Sequence, residues 1–186
     1  PGSNLLIRNV GVNPTRTGVI DILTAMGADI ALENERDQAG EPVADIRVRY
    51  RKLQGVRIAG DLIPRAIDEL PVIAVAAAYA EGVTVIQDAA ELRVKESDRI
   101  SSITAELGRM GAIVSERADG MEITGGEPLR GAKLSSFGDH RIAMALTVAA
   151  LKRGVTPTFD DATCLRDSYP AFLDDLAALG AASGAV

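Results

Sequence analysis

The feature of this sequence that most constrains its fold is a repeat with a period of about 70 residues. An alanine-rich helical stretch followed by a glycine and a β-branched strand reaches Gly82 and again Gly154, 72 positions later. A second phrase, a helical stretch closed by glycine and alanine, recurs at Gly27, Gly111 and Gly180, the last two 69 positions apart. Glycine suits these helix ends because it has no Cβ atom to clash in left-handed backbone. The two phrases predict a duplicated unit of the form βαβαββ, with chance similarity between alanine-rich helices as the alternative.

Alternation of strands and helices along the repeat predicts a layered α/β (α+β) fold. The predicted strands are residues 5–9, 46–49, 56–58, 83–87, 113–116, 121–124, 133–135 and 155–159. The predicted helices include residues 14–26 and 72–80, one that starts near residue 96 or 97, and one that follows Asp139. With 186 residues, 47% of them hydrophobic, we expect one globular domain over residues 1–186. The first copy lacks its alanine-rich helix, so we also expect the chain to be part of a longer protein.

Composition excludes several classes of function. A formal net charge of −6 and only six aromatic residues argue against binding to nucleic acid or to an anionic membrane. The single cysteine, Cys164, excludes an intramolecular disulfide and the usual cysteine-rich zinc sites. The longest apolar stretches, residues 72–80 and 142–151, are about half the length that a bilayer crossing needs. We therefore expect a cytoplasmic protein.

Three clusters of ionisable residues lie where helices are predicted to begin. The first, residues 91–100, places Lys95 and Arg99 about one turn apart in a predicted first helical turn. The helix dipole disfavours cations at that end, so the pair indicates a bound anion held partly by free backbone N–H groups. The alternative is a solvated helix start in which Glu96 pairs with Arg99.

The other two clusters precede corresponding helices of two repeat copies. In residues 136–145, Asp139 is the predicted N-cap of a helix whose first turn carries His140, the only histidine, and Arg141. In residues 63–72, Asp68 stands just before Pro71, where carboxylates commonly cap a helix. Because the copies correspond, we expect these helix starts to converge on one cleft, with carboxylates for proton transfer beside cations for phosphate.

These motifs resemble those of the 5-enolpyruvylshikimate-3-phosphate synthases. Residues 93–100 (RVKESDRI) are similar to a specific signature of that family, and three further motifs occur in its order and spacing: residues 13–18 (NPTRTG), 68–71 (DELP) and 139–144 (DHRIAM). The resemblance implies two domains of three βαβαββ copies each, an inverted α/β barrel, with this chain as most of the C-terminal domain. It also implies transfer of the enolpyruvyl group from phosphoenolpyruvate to the 5-hydroxyl of shikimate 3-phosphate, with release of phosphate and no metal or organic cofactor.

The resemblance implies a role for each residue of these clusters. Asp68 would accept the proton of the 5-hydroxyl, and Glu96 would act as acid and base at the phosphoenolpyruvate methylene. Lys95 would contact the shikimate phosphate side, while Arg99 and Arg141 would bind the carboxylate and phosphate of phosphoenolpyruvate. The partner would be the N-terminal domain of the same monomeric protein, and we expect the exposed cleft face of this chain to carry uncompensated positive charge.

His140 would lie next to the two arginines.

One position departs from the family pattern. Some members have a lysine three residues before a late proline, whereas this chain has Asp167 three residues before Pro170, and Arg166 precedes Asp167. An acidic residue does not suit phosphoenolpyruvate, so that role is not transferred. Two alternatives stay open on the sequence, namely a UDP-N-acetylglucosamine enolpyruvyl transferase and a non-catalytic binding domain of the same fold.

Overall fold

The structure of the chain, a computed structural model, describes residues 2–151 and 158–179. The strands are β1 (Asn4–Gly11), β2 (Asp29–Gln38), β3 (Glu41–Arg49), β4 (Arg57–Ile58), β5 (Val83–Ile86), β6 (Ile113–Arg117), β7 (Gly120–Thr124), β8 (Lys133–Leu134) and β9 (Thr158–Phe159). The helices are α1 (Gly18–Ala25), α2 (Leu62–Ala66), α3 (Leu70–Tyr79), α4 (Arg99–Arg109), α5 (His140–Leu151), α6 (Leu165–Ser168) and α7 (Phe172–Ala178), with a 3₁₀ turn at Ala90–Val94.

The sheets confirm the predicted repeat. The segment from β4 to β7 is one complete βαβαββ unit, whose sheet has the order β4-β5-β7-β6, with β4 and β5 parallel and the other neighbours antiparallel. The antiparallel sheet β1-β3-β2 repeats the order of β5-β7-β6, and the parallel pair β8-β9 repeats β4-β5. The described residues therefore contain one complete copy flanked by parts of two others, and the α/β fold class is confirmed.

The main hydrophobic core lies around α3, α4 and α5. Helix α3 has no charged residue and carries a proline in its first turn, where a missing N–H group costs nothing. Helix α4 is amphipathic, and its inward side chains Ile100, Ile103 and Leu107 are fully buried at the helical spacing. Burial of each such side chain stabilises the fold by about 1.5–3 kcal/mol. None of the helices within the described residues is long and apolar enough to cross a bilayer.

Glycines end two of the helices as the repeat predicts. Gly27 follows α1 with φ +91°, and Gly111 follows α4 with φ +92°, both in the left-handed region that favours glycine. The corresponding Gly180, like Gly154 of the other phrase, lies outside the described residues.

Several predicted boundaries were wrong. Helix α1 begins at Gly18 instead of residue 14, because residues 14–16 form a turn in which the Asn13 side chain accepts the N–H of Thr15. Strand β3 is longer than predicted, and the neighbouring β2 was missed because most of its residues are polar and exposed. The short helix α2 was also missed. Of the predicted strand at 155–159, residues 155–157 lie outside the described part of the chain.

Candidate active site

Arg99 is the first residue of α4, and its guanidinium binds carboxylates from three separate segments. Nε donates to Oδ2 of Asp139 at 2.8 Å, Nη1 donates to Oδ1 of Asp68 at 3.3 Å, and Nη2 donates to Oε2 of Glu96 at 2.5 Å. The Arg99 side chain is only 1% exposed, a position that a cation tolerates when it is paired and hydrogen-bonded. Arg99 therefore joins the starts of α3, α4 and α5.

Asp139 is the fully buried partner in this arrangement and precedes the first turn of α5. Its Oδ1 accepts the N–H of Arg141 at 2.9 Å, and its Oδ2 also accepts the hydroxyl of Ser97 at 3.0 Å. Burial raises the pKa of Asp139, but the hydrogen bonds and positive charge of Arg99, with the Arg141 N–H and the Ser97 hydroxyl, outweigh it and hold the pKa below its ordinary value. Asp139 is therefore ionised at neutral pH.

Asp68 connects the buried arginine to a more exposed one. Its Oδ2 accepts from Nη2 of Arg141 at 3.0 Å, while its backbone oxygen accepts from Nη1 at 3.2 Å. The side chains of Asp68 and Arg141 are about one-third exposed, at 34% and 32%. The expected capping of α3 is not seen, since Glu69 at the N-cap position makes no side-chain cap hydrogen bond. Asp68 instead bridges two arginines.

The prediction that Lys95 and Arg99 share the first turn of a helix starting near residue 96 or 97 is wrong, because α4 begins at Arg99 and both Lys95 and Glu96 precede it. The helix begins three residues after Glu96, because Asp98 accepts the N–H of Ser101 at 3.1 Å and so acts as the N-cap. Glu96 is 53% exposed, and Lys95 pairs with Glu91. Glu96 nevertheless reaches Arg99 as the i,i+3 alternative had suggested.

The structure thus joins four of the six predicted site residues, Asp68, Glu96, Arg99 and Arg141, through ion pairs, and adds Asp139 to them. Lys95 is adjacent to Glu96 in the chain but pairs with Glu91. We call the following residues the site cluster: Asp68, Lys95, Glu96, Arg99, Asp139 and Arg141. The sixth predicted residue, His140, is half-buried at the first position of α5, and its ring makes no hydrogen bond to any residue that the structure describes.

The expected excess of positive charge is wrong for the residues described. Each cation of the site cluster already has a carboxylate partner: Lys95 pairs with Glu91, Arg141 pairs with Asp68, and Arg99 pairs with three carboxylates. The sequence shows the cations but not their partners, which come from segments up to 73 residues away. An anion that binds here must therefore compete with these carboxylates.

Two cavities lie near the predicted site residues, one beside the site cluster and one apart from it. A cavity of about 240 Å³ opens beside Asp68 and is also lined by Arg16, a member of the motif at residues 13–18 that carried no predicted role. Arg166 lines a separate cavity of about 230 Å³, and within the described ranges neither it nor Asp167 forms an ion pair with the cluster. Nor does the described part of the chain hold a group of three histidine, cysteine, aspartate or glutamate side chains suited to a metal ion.

Comparison with known proteins gives a consistent result. The family model for EPSP synthase (3-phosphoshikimate 1-carboxyvinyltransferase) matches residues 1–176. A 3-phosphoshikimate 1-carboxyvinyltransferase from Thermosynechococcus vestitus is 59% identical over 93% of this chain and 39% of its own length. One from Synechocystis sp. is 60% identical over 95% of this chain and 39% of its own length. The chain therefore spans about two-fifths of the length of these curated relatives.

Solved structures agree with the sequence comparison. The EPSP synthase from Acinetobacter baumannii superposes with a TM-score of 0.91 at 43% identity, covering 95% of this chain and 42% of that one. An enolpyruvyl transferase from Streptomyces tendae has a TM-score of 0.68 at 21% identity, covering 96% of this chain and 39% of that one, and shares the fold.

Proposed function

The chain belongs to the EPSP synthase (3-phosphoshikimate 1-carboxyvinyltransferase) family, and from this premise we propose that it supplies one wall of an enolpyruvyl transferase active site. The reaction transfers the enolpyruvyl group of phosphoenolpyruvate to the 5-hydroxyl of shikimate 3-phosphate. The observation that carries the proposal is the convergence of Asp68 and Glu96 on the buried Arg99, with Arg141 bound to Asp68, because it places proton-transfer groups beside an accessible cation.

The proposal extends to the rest of the protein. The chain covers only about two-fifths of its relatives, so we propose that residues 1–186 form most of the C-terminal domain and that an N-terminal domain of the same chain supplies the opposite wall. Two walls would orient two anionic substrates and exclude water from the reacting atoms. The family resemblance adds a monomeric, cytoplasmic enzyme to the proposal.

The chemistry requires two proton transfers in the addition step and one in the elimination step. In the addition step, the 5-oxygen bonds to C2 of phosphoenolpyruvate while its proton goes to a base and the methylene carbon C3 gains a proton from an acid. In the elimination step, the bond from C2 to the phosphate oxygen breaks, C3 loses a proton, and the double bond is restored. We assign the base at the hydroxyl to Asp68 and the acid and base at C3 to Glu96, whose side chains are both accessible.

We assign anion binding first to Arg141, because about a third of its side chain is exposed and its planar guanidinium can hold a carboxylate or phosphate in bidentate fashion. Arg99 is buried, so it contacts the anion only when its most exposed partner, Glu96, moves away. Lys95 is assigned to the shikimate phosphate side and exchanges Glu91 for the substrate. His140 is assigned a place beside the arginines at the start of α5.

A chimaeric enzyme tests this function. Residues 1–186 are joined to the part of the Thermosynechococcus vestitus relative that they do not match, and release of phosphate from phosphoenolpyruvate is measured with shikimate 3-phosphate as acceptor. We expect turnover that depends on this acceptor, and almost none when Asp68→Asn is introduced into the chimaera. Turnover with UDP-N-acetylglucosamine instead would establish the rival enzyme, and a folded chimaera that binds neither acceptor would favour a non-catalytic domain.

A further inference from the structure

Arg93 is the first residue of the motif at residues 93–100, but the proposed chemistry gives it no role. It lies in the 3₁₀ turn at Ala90–Val94, and its side chain is 26% exposed. The turn is followed by residues 95–97, which we call the site loop, and then by Asp98, the N-cap of α4. The site loop carries Lys95 and Glu96, so the contacts that hold it determine where both of these side chains lie.

The site loop is not held by apolar packing. Its three residues are polar or charged, and the loop belongs to no helix or strand. Leu92 in the preceding turn is fully buried, but Val94, directly before the loop, is 80% exposed. At its far end, the hydroxyl of Ser97 donates to Oδ2 of Asp139 at 3.0 Å. The position of the loop therefore depends on polar contacts at its two ends.

Arg93 fastens the near end to the turn between β6 and β7. Its Nε donates to the backbone oxygen of Ala118 at 2.7 Å, and its Nη2 donates to the backbone oxygen of Arg117 at 2.5 Å. Its Nη1 lies 2.9 Å from Oε1 of Glu116 in β6. A guanidinium suits this place because its N–H groups point in fixed directions within one plane. One side chain thus joins the 3₁₀ turn to the β6–β7 hairpin.

Arg93 also binds the residue at the far end of the loop. Its Nη1 donates to Oδ2 of Asp98 at 2.8 Å, while Oδ1 of Asp98 caps α4 by accepting the N–H of Ser101. Burial raises the pKa of Asp98, but the N–H of Ser101 and the guanidinium of Arg93 outweigh it and hold the pKa below its ordinary value. The contact between Arg93 and Asp98 closes the site loop, so one guanidinium holds both of its ends.

The turn between β6 and β7 is itself fixed to the end of β5. A Cβ atom at Gly120 would lie 2.0 Å from the backbone oxygen of Ile86, so the two backbones are in direct contact there. The backbone oxygen of Asp119 accepts the N–H of Ala89 at 2.7 Å, and Oδ2 of Asp119 accepts the N–H of Asp88 at 2.9 Å. The turn is therefore a firm support for the groups that Arg93 binds.

We propose that Arg93 is a positioning residue, which holds the site loop between the β6–β7 turn and α4 and so sets the positions of Lys95 and Glu96. Its effect on turnover rests on the proposed function, because misplacement of a reacting group by about 1 Å can cost about 10²-fold in rate. Arg141 lies on α5 and is not attached to the loop. Turnover should therefore suffer more than binding of phosphoenolpyruvate.

Backbone order in the 186-residue chain tests the positioning directly and does not depend on the reaction. Arg93→Lys keeps the charge but replaces the planar fork by a single ammonium. We expect the ¹⁵N order parameters of residues 95–97 to fall from about 0.85, typical of rigid backbone, to below about 0.6, while those of α3 stay unchanged. Arg117→Lys is the matched control, since its side chain is 45% exposed, pairs with Glu122 and does not touch the loop.

A double-mutant cycle in the chimaeric enzyme separates positioning from a general effect on folding. Arg93→Lys should lower kcat roughly tenfold or more and raise KM for phosphoenolpyruvate by less than about threefold. In the Glu96→Gln background, the same substitution should lower the remaining kcat by less than about threefold, because the group that it positions is no longer there. Arg93→Lys that only reduced the folded fraction would lower kcat by the same factor in both backgrounds.

Three results would overturn the inference: unchanged order parameters in Arg93→Lys, unchanged kcat, or an equal loss of kcat in both backgrounds. The last would reduce Arg93 to a residue that stabilises the fold. A wild-type chimaera without turnover would refute the proposed function instead, and the order parameters would still decide whether Arg93 holds the loop. Circular dichroism confirms that each variant folds, and Arg93→Gln replaces Arg93→Lys should the latter unfold.

Discussion

Replacing Asp139 with asparagine tests whether the buried carboxylate holds the site cluster together. Asp139 has no exposed surface and accepts hydrogen bonds from Nε of Arg99, the hydroxyl of Ser97 and the N–H of Arg141. Asparagine has the same size and keeps one acceptor oxygen, which can still cap α5. Its amide group, however, directs N–H donors at the Nε–H of Arg99, so one attractive contact becomes a repulsive one.

The size of the effect can be worked from these contacts. Removal of one partner from a buried ion pair costs about 3–5 kcal/mol, because the other charge stays buried without compensation. Arg99 retains Asp68 and Glu96, which places Asp139→Asn near the lower end, at about 3 kcal/mol. For a chain of 186 residues, each kcal/mol lowers the melting temperature by about 2–4 °C, so we expect a decrease of roughly 6–12 °C.

The assay is urea unfolding of the 186-residue chain followed by circular dichroism, with thermal melts in parallel. Asp21→Asn is the matched control, since Asp21 pairs with Arg65 at 2.6 Å but is 49% exposed. An exposed pair of that kind contributes at most about 1 kcal/mol. If Asp139→Asn destabilised the chain no more than Asp21→Asn does, the buried pair would not organise the site and the reasoning would be wrong.

Three further predictions concern the same cluster. In the chimaeric enzyme, Glu96→Gln should lower kcat by roughly 10²–10⁴-fold with a much smaller change in KM, because it removes a proton-transfer group; steady-state kinetics that show near-normal kcat would remove Glu96 from the mechanism. Arg141→Lys should raise KM for phosphoenolpyruvate more than KM for shikimate 3-phosphate, since a point charge replaces a planar fork; equal increases would contradict that assignment. Because the pKa of Asp139 is lowered by folding, its contribution to stability is complete above the unfolded value of about 3.9 and is lost as the pH falls through the folded value. Urea titrations at several pH values should therefore show a constant gap between wild type and Asp139→Asn above about pH 4 and a shrinking one below it; a constant gap down to acid pH would contradict the lowered pKa.

The sequence predicts the fold where hydrophobic pattern and repeat agree. Helix α3 and strand β5 follow from the apolar period, and the recurrence of glycine at a spacing of about 70 residues predicts the βαβαββ unit, which is complete from β4 to β7 and partial on either side. Strand β2 was missed because residues 33–38 are all polar, so its pairing with β3 depends on backbone hydrogen bonds that leave no trace in the hydrophobic pattern. A hydrophobic pattern reveals a strand only where its side chains are buried, and most side chains of β2 are exposed.

The sequence predicted most of the residues of the candidate site, but not the contacts between them. Correspondence of the repeat copies predicted that Asp68 and Asp139 would approach each other, and both contact Arg99. The sequence contains no sign that Arg99 is buried, because three of the four residues before it are charged, which is typical of a surface helix start. Asp139 was assigned only a cap, whereas it also neutralises that arginine across 40 residues of sequence.

The ion pairs within the site cluster couple binding of an anion to release of a carboxylate. Before any anion binds, the carboxylates proposed for proton transfer are also the partners of the arginines, so neither group is free to act on its own. Because Arg99 is buried, an anion that is to bind it must first displace Glu96, whose side chain is the most exposed of the three partners. Asp139 stays in place because it is buried and hydrogen-bonded on both oxygens. In the proposed function, anion binding therefore releases Glu96 while Asp139 keeps Arg99 oriented. The carboxylate that we propose as the proton-transfer group at C3 thus leaves Arg99 only when an anion occupies the site, which couples its availability to substrate binding.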